Sequence, residues 1–194
     1  MIRKLPRCAL AAVAAAAAGL GCLAAAPPAR ASQPALEHCV LALDTGRQTC
    51  YGNFSAAIST ASGGRITDAP DNLKAASGGS GLQELRAETS RLMEDVGGAN
   101  GDVIIGTFFT DKDYGGTTLT LTGSHPCRGN GASDFAVNLD EWSDVISSVQ
   151  PWANCWINLF SEANLGGDRD GPIKAPTPDI GPFMNDRARS VRFD

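Results

Sequence analysis

The chain has 194 residues, with 16 Lys+Arg against 21 Asp+Glu and a formal net charge of −5. An acidic chain without Lys/Arg clusters excludes nucleic acid and anionic membrane as natural partners, because both select basic patches. Its 22 glycines include no GxxxxGK[ST] loop that could hold phosphates.

Residues 1–31 read as a secretory signal peptide. Arg3, Lys4 and Arg7 make a basic start, an alanine-rich apolar stretch runs from Cys8 to Ala26, and Ala29-Arg30-Ala31 offers a small-x-small cleavage site. A membrane anchor is the weaker reading, because no stop-transfer pattern follows, and Gly19-Leu20-Gly21 before Cys22 fits a lipobox poorly. Cleavage removes four basic residues (Arg3, Lys4, Arg7, Arg30) and no acidic one, which moves the net charge from −5 to −9. The mature protein is expected to be secreted, monomeric and free of the membrane.

Residues 32–67 read as a small α+β segment. Cys39–Leu43 and Thr49–Tyr51 are strand-like around the turn residues Asp44-Thr45-Gly46-Arg47, which predicts a hairpin with two facing cysteines. Asn53 is placed to cap a helix with Phe54, Ala57, Ile58 and Ala61 on one face, ended by Gly63-Gly64. A brief strand is expected at 65–67. Residues 68–100 read as a linker rich in Asp, Pro, Ser and Gly, followed by an amphipathic helix near 82–96 striped by Leu82, Leu85, Leu92, Met93 and Val96.

After Gly101 the pattern changes to short β-rich runs at 103–109, 117–122, 135–139, 145–149, 156–160 and 191–193, separated by Gly, Pro, Asn and Asp. That spacing predicts an antiparallel sandwich. Thr118, Thr120 and Thr122 alternate with Leu119 and Leu121, as expected for a strand with one solvated face. Four cysteines remain after cleavage, and an even number in an exported chain reads as disulfides. Of the three possible pairings, Cys39–Cys50 with Cys127–Cys155 staples neighbouring elements.

Residues 101–194 carry a duplicated pattern. Phe109, Tyr114 and Gly116 recur as Phe160, Leu165 and Gly167, and the loops Ser143-Asp144-Val145-Ile146-Ser147-Ser148 and Asn185-Asp186-Arg187-Ala188-Arg189-Ser190 follow them. This resembles the folded hairpin of βγ-crystallin Greek keys with its companion (Asn/Asp)-(Asn/Asp)-x-x-(Ser/Thr)-Ser loop. The resemblance implies a mainly β fold, a double Greek-key sandwich in 101–194 preceded by the small α+β segment. In calcium-binding members the two loops share two ions through carbonyls, an acidic or amide side chain and the Ser/Thr hydroxyl. Carried over, Asp144, the Val145 carbonyl and Ser147 match the first loop, and Asn185, Asp186 and the Arg187 carbonyl match the second. Two departures cut against an intact pair: Ser143 replaces an Asn or Asp, and Arg189 replaces a Ser or Thr ligand. Arg189 is instead placed to pair with Asp144 or Asp186.

The same fold in exported microbial proteins resembles a small metalloproteinase-inhibitor family. It implies a non-enzymatic binding protein that blocks an extracellular metalloprotease through an exposed loop, here sought at His125, Pro126, Cys127 and Arg128. The alternative is a calcium-binding or structural extracellular protein of βγ-crystallin type. No cofactor is required in either case, and calcium is the one candidate ion. Enzyme chemistry finds little footing. Asp44-Thr45-Gly46 lacks the second aspartate of an aspartic protease, and neither His38 nor His125 sits in a nucleophile motif.

Overall fold

Nine strands and one helix make up the secondary structure of the computed structural model, which describes residues 36–70 and 103–194 together with Ala87. Strands β1 (His38–Ala42) and β2 (Arg47–Tyr51) form the front hairpin, with Cys39 directly opposite Cys50. Helix α1 (Phe54–Ala61) follows. Asn53 caps it as its spacing predicts, its side chain accepting the Ala56 N–H at 2.8 Å. No strand forms at 65–67. The Ile66 N–H donates to Ser62 Oγ at 2.9 Å, so the chain folds back over the helix end and Ile66 is buried. The predicted linker and amphipathic helix lie outside the described residues, save 68–70 and Ala87.

Two four-element repeats fill the rest. The first holds β3 (Val103–Phe109), β4 (Thr118–Gly123), β5 (Phe135–Asn138) and β6 (Ser148–Pro151). The second holds β7 (Ile157–Phe160), β8 (Arg169–Ile173) and β9 (Ser190–Phe193), with a single bridge at Thr177 where a third strand would run. The sheets are ordered β2-β1-β4-β3-β6 and β5-β9-β7-β8. Each repeat lends its third element to the other sheet: β5 pairs with β9, and Thr177 bridges to Val149. This exchange interlocks the repeats around one core that includes Phe108, Leu119, Leu121, Ile157, Leu159 and Phe193.

Three expectations need correction. The strand sought at 145–149 begins only at Ser148, because Asp144 adopts φ 61 and the loop must finish before extended pairing can start. Strand β8 was missed, since Arg169-Asp-Gly-Pro-Ile173 carries a glycine and a proline that read as breakers. The threonine face of β4 is not solvated: Thr118, Thr120 and Thr122 are at most 2% exposed. Helix α1 packs across that face, and a second apolar cluster forms there from Val40, Phe54, Ile58, Phe109, Tyr114 and Trp152. Buried hydroxyls keep partners in this layer. Trp152 Nε1 donates to Thr107 Oγ1 at 3.0 Å, and His38 Nδ1 lies 3.0 Å from Thr118 Oγ1.

The front segment is therefore continuous with the first sheet. β1 runs parallel to β4, from His38 beside Thr118 to Ala42 beside Thr122, and all the described elements fall in one compact unit.

Candidate functional site

Both repeats place a folded hairpin beside their polar loop, and the same bonds recur in each. Asp113 and Tyr114 take φ 56 and 60 before Gly116 at 77; Asn164 and Leu165 take 57 and 62 before Gly167 at 73. A methyl group at Gly116 would sit 2.2 Å from Thr110 Oγ1, and at Gly167 2.4 Å from Ser161 Oγ, so neither position has room for a side chain. The last serine of each loop ties the hairpin down. Ser148 Oγ donates to the Asp111 carbonyl (2.7 Å) and accepts the Tyr114 N–H (3.1 Å), as Ser190 Oγ does with Glu162 (2.6 Å) and Leu165 (3.0 Å).

The two loops face each other. The Asp144 N–H donates to the Ala188 carbonyl and the Asp186 N–H to the Ile146 carbonyl, each at 3.0 Å, which gives a local twofold relation. Across it the side chains do different things. Arg189 Nε donates to both carboxylate oxygens of Asp144 at 3.0 Å, and Nη2 lies 2.8 Å from Oδ2. That hydrogen bond and the carboxylate charge hold the guanidinium pKa above its ordinary value. At the equivalent place Ser147 Oγ stands 3.4 Å from Asp186 Oδ1, and no cation intervenes. Asn185 Oδ1 is shielded from solvent without a donor among the described residues, while Asn185 Nδ2 donates to Asp186 Oδ2 at 2.6 Å.

The fold is βγ-crystallin-like. The chain is similar to a βγ-crystallin domain from Clostridium beijerinckii, at 21% identity and a TM-score of 0.37, covering 46% of this chain and 95% of that one. It is also similar to a βγ-crystallin domain from Flavobacterium johnsoniae (21% identity, TM-score 0.36, 46% and 93% covered). The N-terminal domain of Protein S gives 20% identity and a TM-score of 0.37, with 46% and 94% covered. No family profile and no curated protein matches the chain.

The halves of the paired site differ in their fitness for a cation. At the first, the guanidinium fills the Asp144 carboxylate, so the residues present do not fit an ion there. At the second, a carboxylate, a hydroxyl and an undonated amide oxygen converge, the hard-oxygen set that calcium takes. The Arg187 side chain turns away, pairing with Asp168 at 2.7 Å and donating from Nη1 to the Phe183 carbonyl. Val145 is 37% exposed on the rim.

A cleft of about 650 Å³ opens beside the loops. Glu37, Cys39 and Cys50 line one side, and Glu141, Asp144 and Asp186 are among the residues lining the rest. Gln48 of the front hairpin donates to Glu141, linking the two sides. Glu37 and Glu141 escaped the sequence reading because neither belongs to the repeated pattern, and the parallel pairing that brings Glu37 here leaves no local signal. Among the described residues no helix is long and apolar enough to cross a membrane.

The loop singled out as inhibitory lies outside this cleft. Ser124, His125, Pro126 and Arg128 are exposed, and the Cys127–Cys155 disulfide anchors the segment with a Cα–Cα separation of 4.7 Å. His125 stacks on Phe135 with ring centroids 4.7 Å apart. Arg128 donates to Asp134 from its backbone N–H (2.9 Å) and from Nε (2.6 Å). Burial pushes the Asp134 carboxyl up, but the Arg128 bonds and charge outweigh it and hold the pKa below the ordinary value. A depressed carboxyl contributes its stability in full above about pH 4, the usual aspartate value, and loses it as pH falls through the folded value. Asp134→Asn is therefore expected to lower stability at neutral pH by about 1–2 kcal/mol, discounted for the exposed guanidinium. It should also flatten the acid side of the stability profile, read by urea melts between neutral and acid pH.

Proposed function

We propose that the mature chain is a non-enzymatic extracellular binding protein of βγ-crystallin type that takes one calcium ion, at the half-site of Asp186, Ser147 and Asn185. The observation that carries this reading is the contrast across the local twofold: Arg189 neutralises Asp144, whereas Asp186 meets only polar oxygens and an amide. Asp186 and the Ser147 hydroxyl would hold the ion, with the Asn185 oxygen and the Arg187 carbonyl beside them. When bound, the ion would supply charge neutralisation between two loops that already share backbone hydrogen bonds. Arg189 supplies the same neutralisation permanently on the other side.

Calorimetric titration of the mature protein is expected to find one calcium per chain. At a concentration a hundredfold above Kd, binding adds about 2.7 kcal/mol of stability. Asp186→Ala should abolish both the heat and the melting shift, and Arg189→Ser should raise the stoichiometry toward two. Absence of heat and of any shift at millimolar calcium would overturn the reading.

A second reading follows from the anchored loop at 124–130. Held by a disulfide and by Arg128–Asp134, the loop loses little conformational freedom on binding, which suits a canyon-shaped partner such as a protease cleft. If that partner is an extracellular metalloprotease, stoichiometric protein should abolish peptide cleavage by a thermolysin-like enzyme, and Arg128→Ala should weaken the block. Undiminished cleavage rejects it.

A further inference from the structure

The front hairpin holds a donor set that neither half of the calcium reading uses. Glu37, Cys39 and Cys50 each present a ligand atom within 4.8 Å of the others. Glu37 and Cys39 are two residues apart, which puts both side chains on one side of the extended chain, and Cys50 sits directly across from Cys39. All three border the cleft, where Glu141 adds a further carboxylate. In the oxidised protein the two sulfurs are joined, leaving Glu37 as the one donor of the three. A disulfide sulfur is no thiolate, and only the thiolate is a strong metal ligand.

From this arrangement we infer that the Cys39–Cys50 pair is a redox-gated site for a thiophilic divalent cation such as zinc. A dithiol reductant transfers two electrons to the disulfide and leaves as its own cyclic disulfide, giving two cysteine thiols. The cation then displaces both thiol protons and binds two thiolates with the Glu37 carboxylate, a donor set that suits zinc and excludes calcium. A water or Glu141 completes the fourth position. The gate is selective between the two disulfides. Cys50 is exposed at the open edge of the sheet, whereas Cys127 and Cys155 are 4% and 2% exposed. The β1–β2 ladder, the β1–β4 ladder and α1 hold the two sulfur-bearing backbones together after reduction.

The test uses the full mature chain and cadmium as an optical stand-in for zinc. Limiting dithiol is applied first, and alkylation with peptide mass analysis identifies the opened pair; Cys39 and Cys50 should be labelled before Cys127 and Cys155. After the reductant is removed, cadmium should produce an ultraviolet thiolate charge-transfer band at one ion per chain and release about two protons, since each ligand thiol deprotonates. Cys50→Ser should lose the band. Glu37→Gln should keep it with affinity reduced by at least about tenfold, the scale on which metal-site carboxylates act. Cys127→Ser should keep the band at full affinity; if that variant does not fold, the limited-reduction labelling makes the same distinction in the wild type. The inference is overturned if the cadmium band is the same in wild type and Cys50→Ser, if Cys127 and Cys155 open first, or if the reduced chain binds no cadmium. Calcium titration of the oxidised protein is unaffected by any of these outcomes, so the two proposals fail separately.

Discussion

Phe54→Ala is expected to destabilise the whole protein by about 3–5 kcal/mol, the range for truncating a buried aromatic. Phe54 is 1% exposed, stacks edge-on against His38 at 5.8 Å and lies 6.5 Å from Phe109, a residue of the first Greek key. Its ring therefore fills the layer between α1 and the threonine face of β4. Thermal unfolding followed by both tryptophan fluorescence and far-ultraviolet dichroism should show one transition lowered by roughly 10 °C. A front segment independent of the sandwich would leave the main transition where it was, and that result would refute the joint core.

Gly116→Ala is expected to cost about 2–4 kcal/mol, combining the penalty of left-handed backbone for a residue with a β-carbon and that of overpacking. The methyl would meet Thr110 Oγ1 and the side chain of Asp111, which stands 2.9 Å from its position at Cγ. Thr110 Oγ1 also accepts the Thr117 N–H at 3.0 Å, so it cannot retreat without breaking that bond. Gly167→Ala should behave alike, because Ser161 Oγ accepts the Asp168 N–H at 2.8 Å in the same place. Urea denaturation of both variants checks the pair. Equal losses support the matched geometry of the two hairpins, and a neutral result at either one would refute it.

The repeat was legible in the sequence because its demands are local. A hairpin that needs left-handed backbone selects glycine at a set distance from an aromatic, and the loop that supports it must end in a hydroxyl. Ser148 and Ser190 carry that requirement, and their bonds to Asp111 and Glu162 show why it recurs. The Arg189–Asp144 pair was also foreseeable, since a guanidinium among acidic loop residues has few other partners. Long-range arrangement was not legible. The alternation of Thr118, Thr120 and Thr122 marks two faces of a strand but says nothing of what covers each, and a helix from sixty residues earlier covers this one. β8 was hidden by its own Gly171-Pro172, which an edge strand tolerates because its outward N–H groups need no partner. Glu37 and Glu141 joined the cleft through the β1–β4 register, which leaves no trace in spacing.

The pairing of His38–Ala42 with Thr118–Thr122 has a temporal side. A ribosome releases the earlier strand first, and its parallel neighbour appears only after some eighty more amino acids have been added. Contacts so remote along the chain are slow to form. Until the neighbour arrives, β2 and the Cys39–Cys50 link are the means by which this first strand can keep its shape, so the hairpin acts as a self-contained splint that waits for the rest of the sheet.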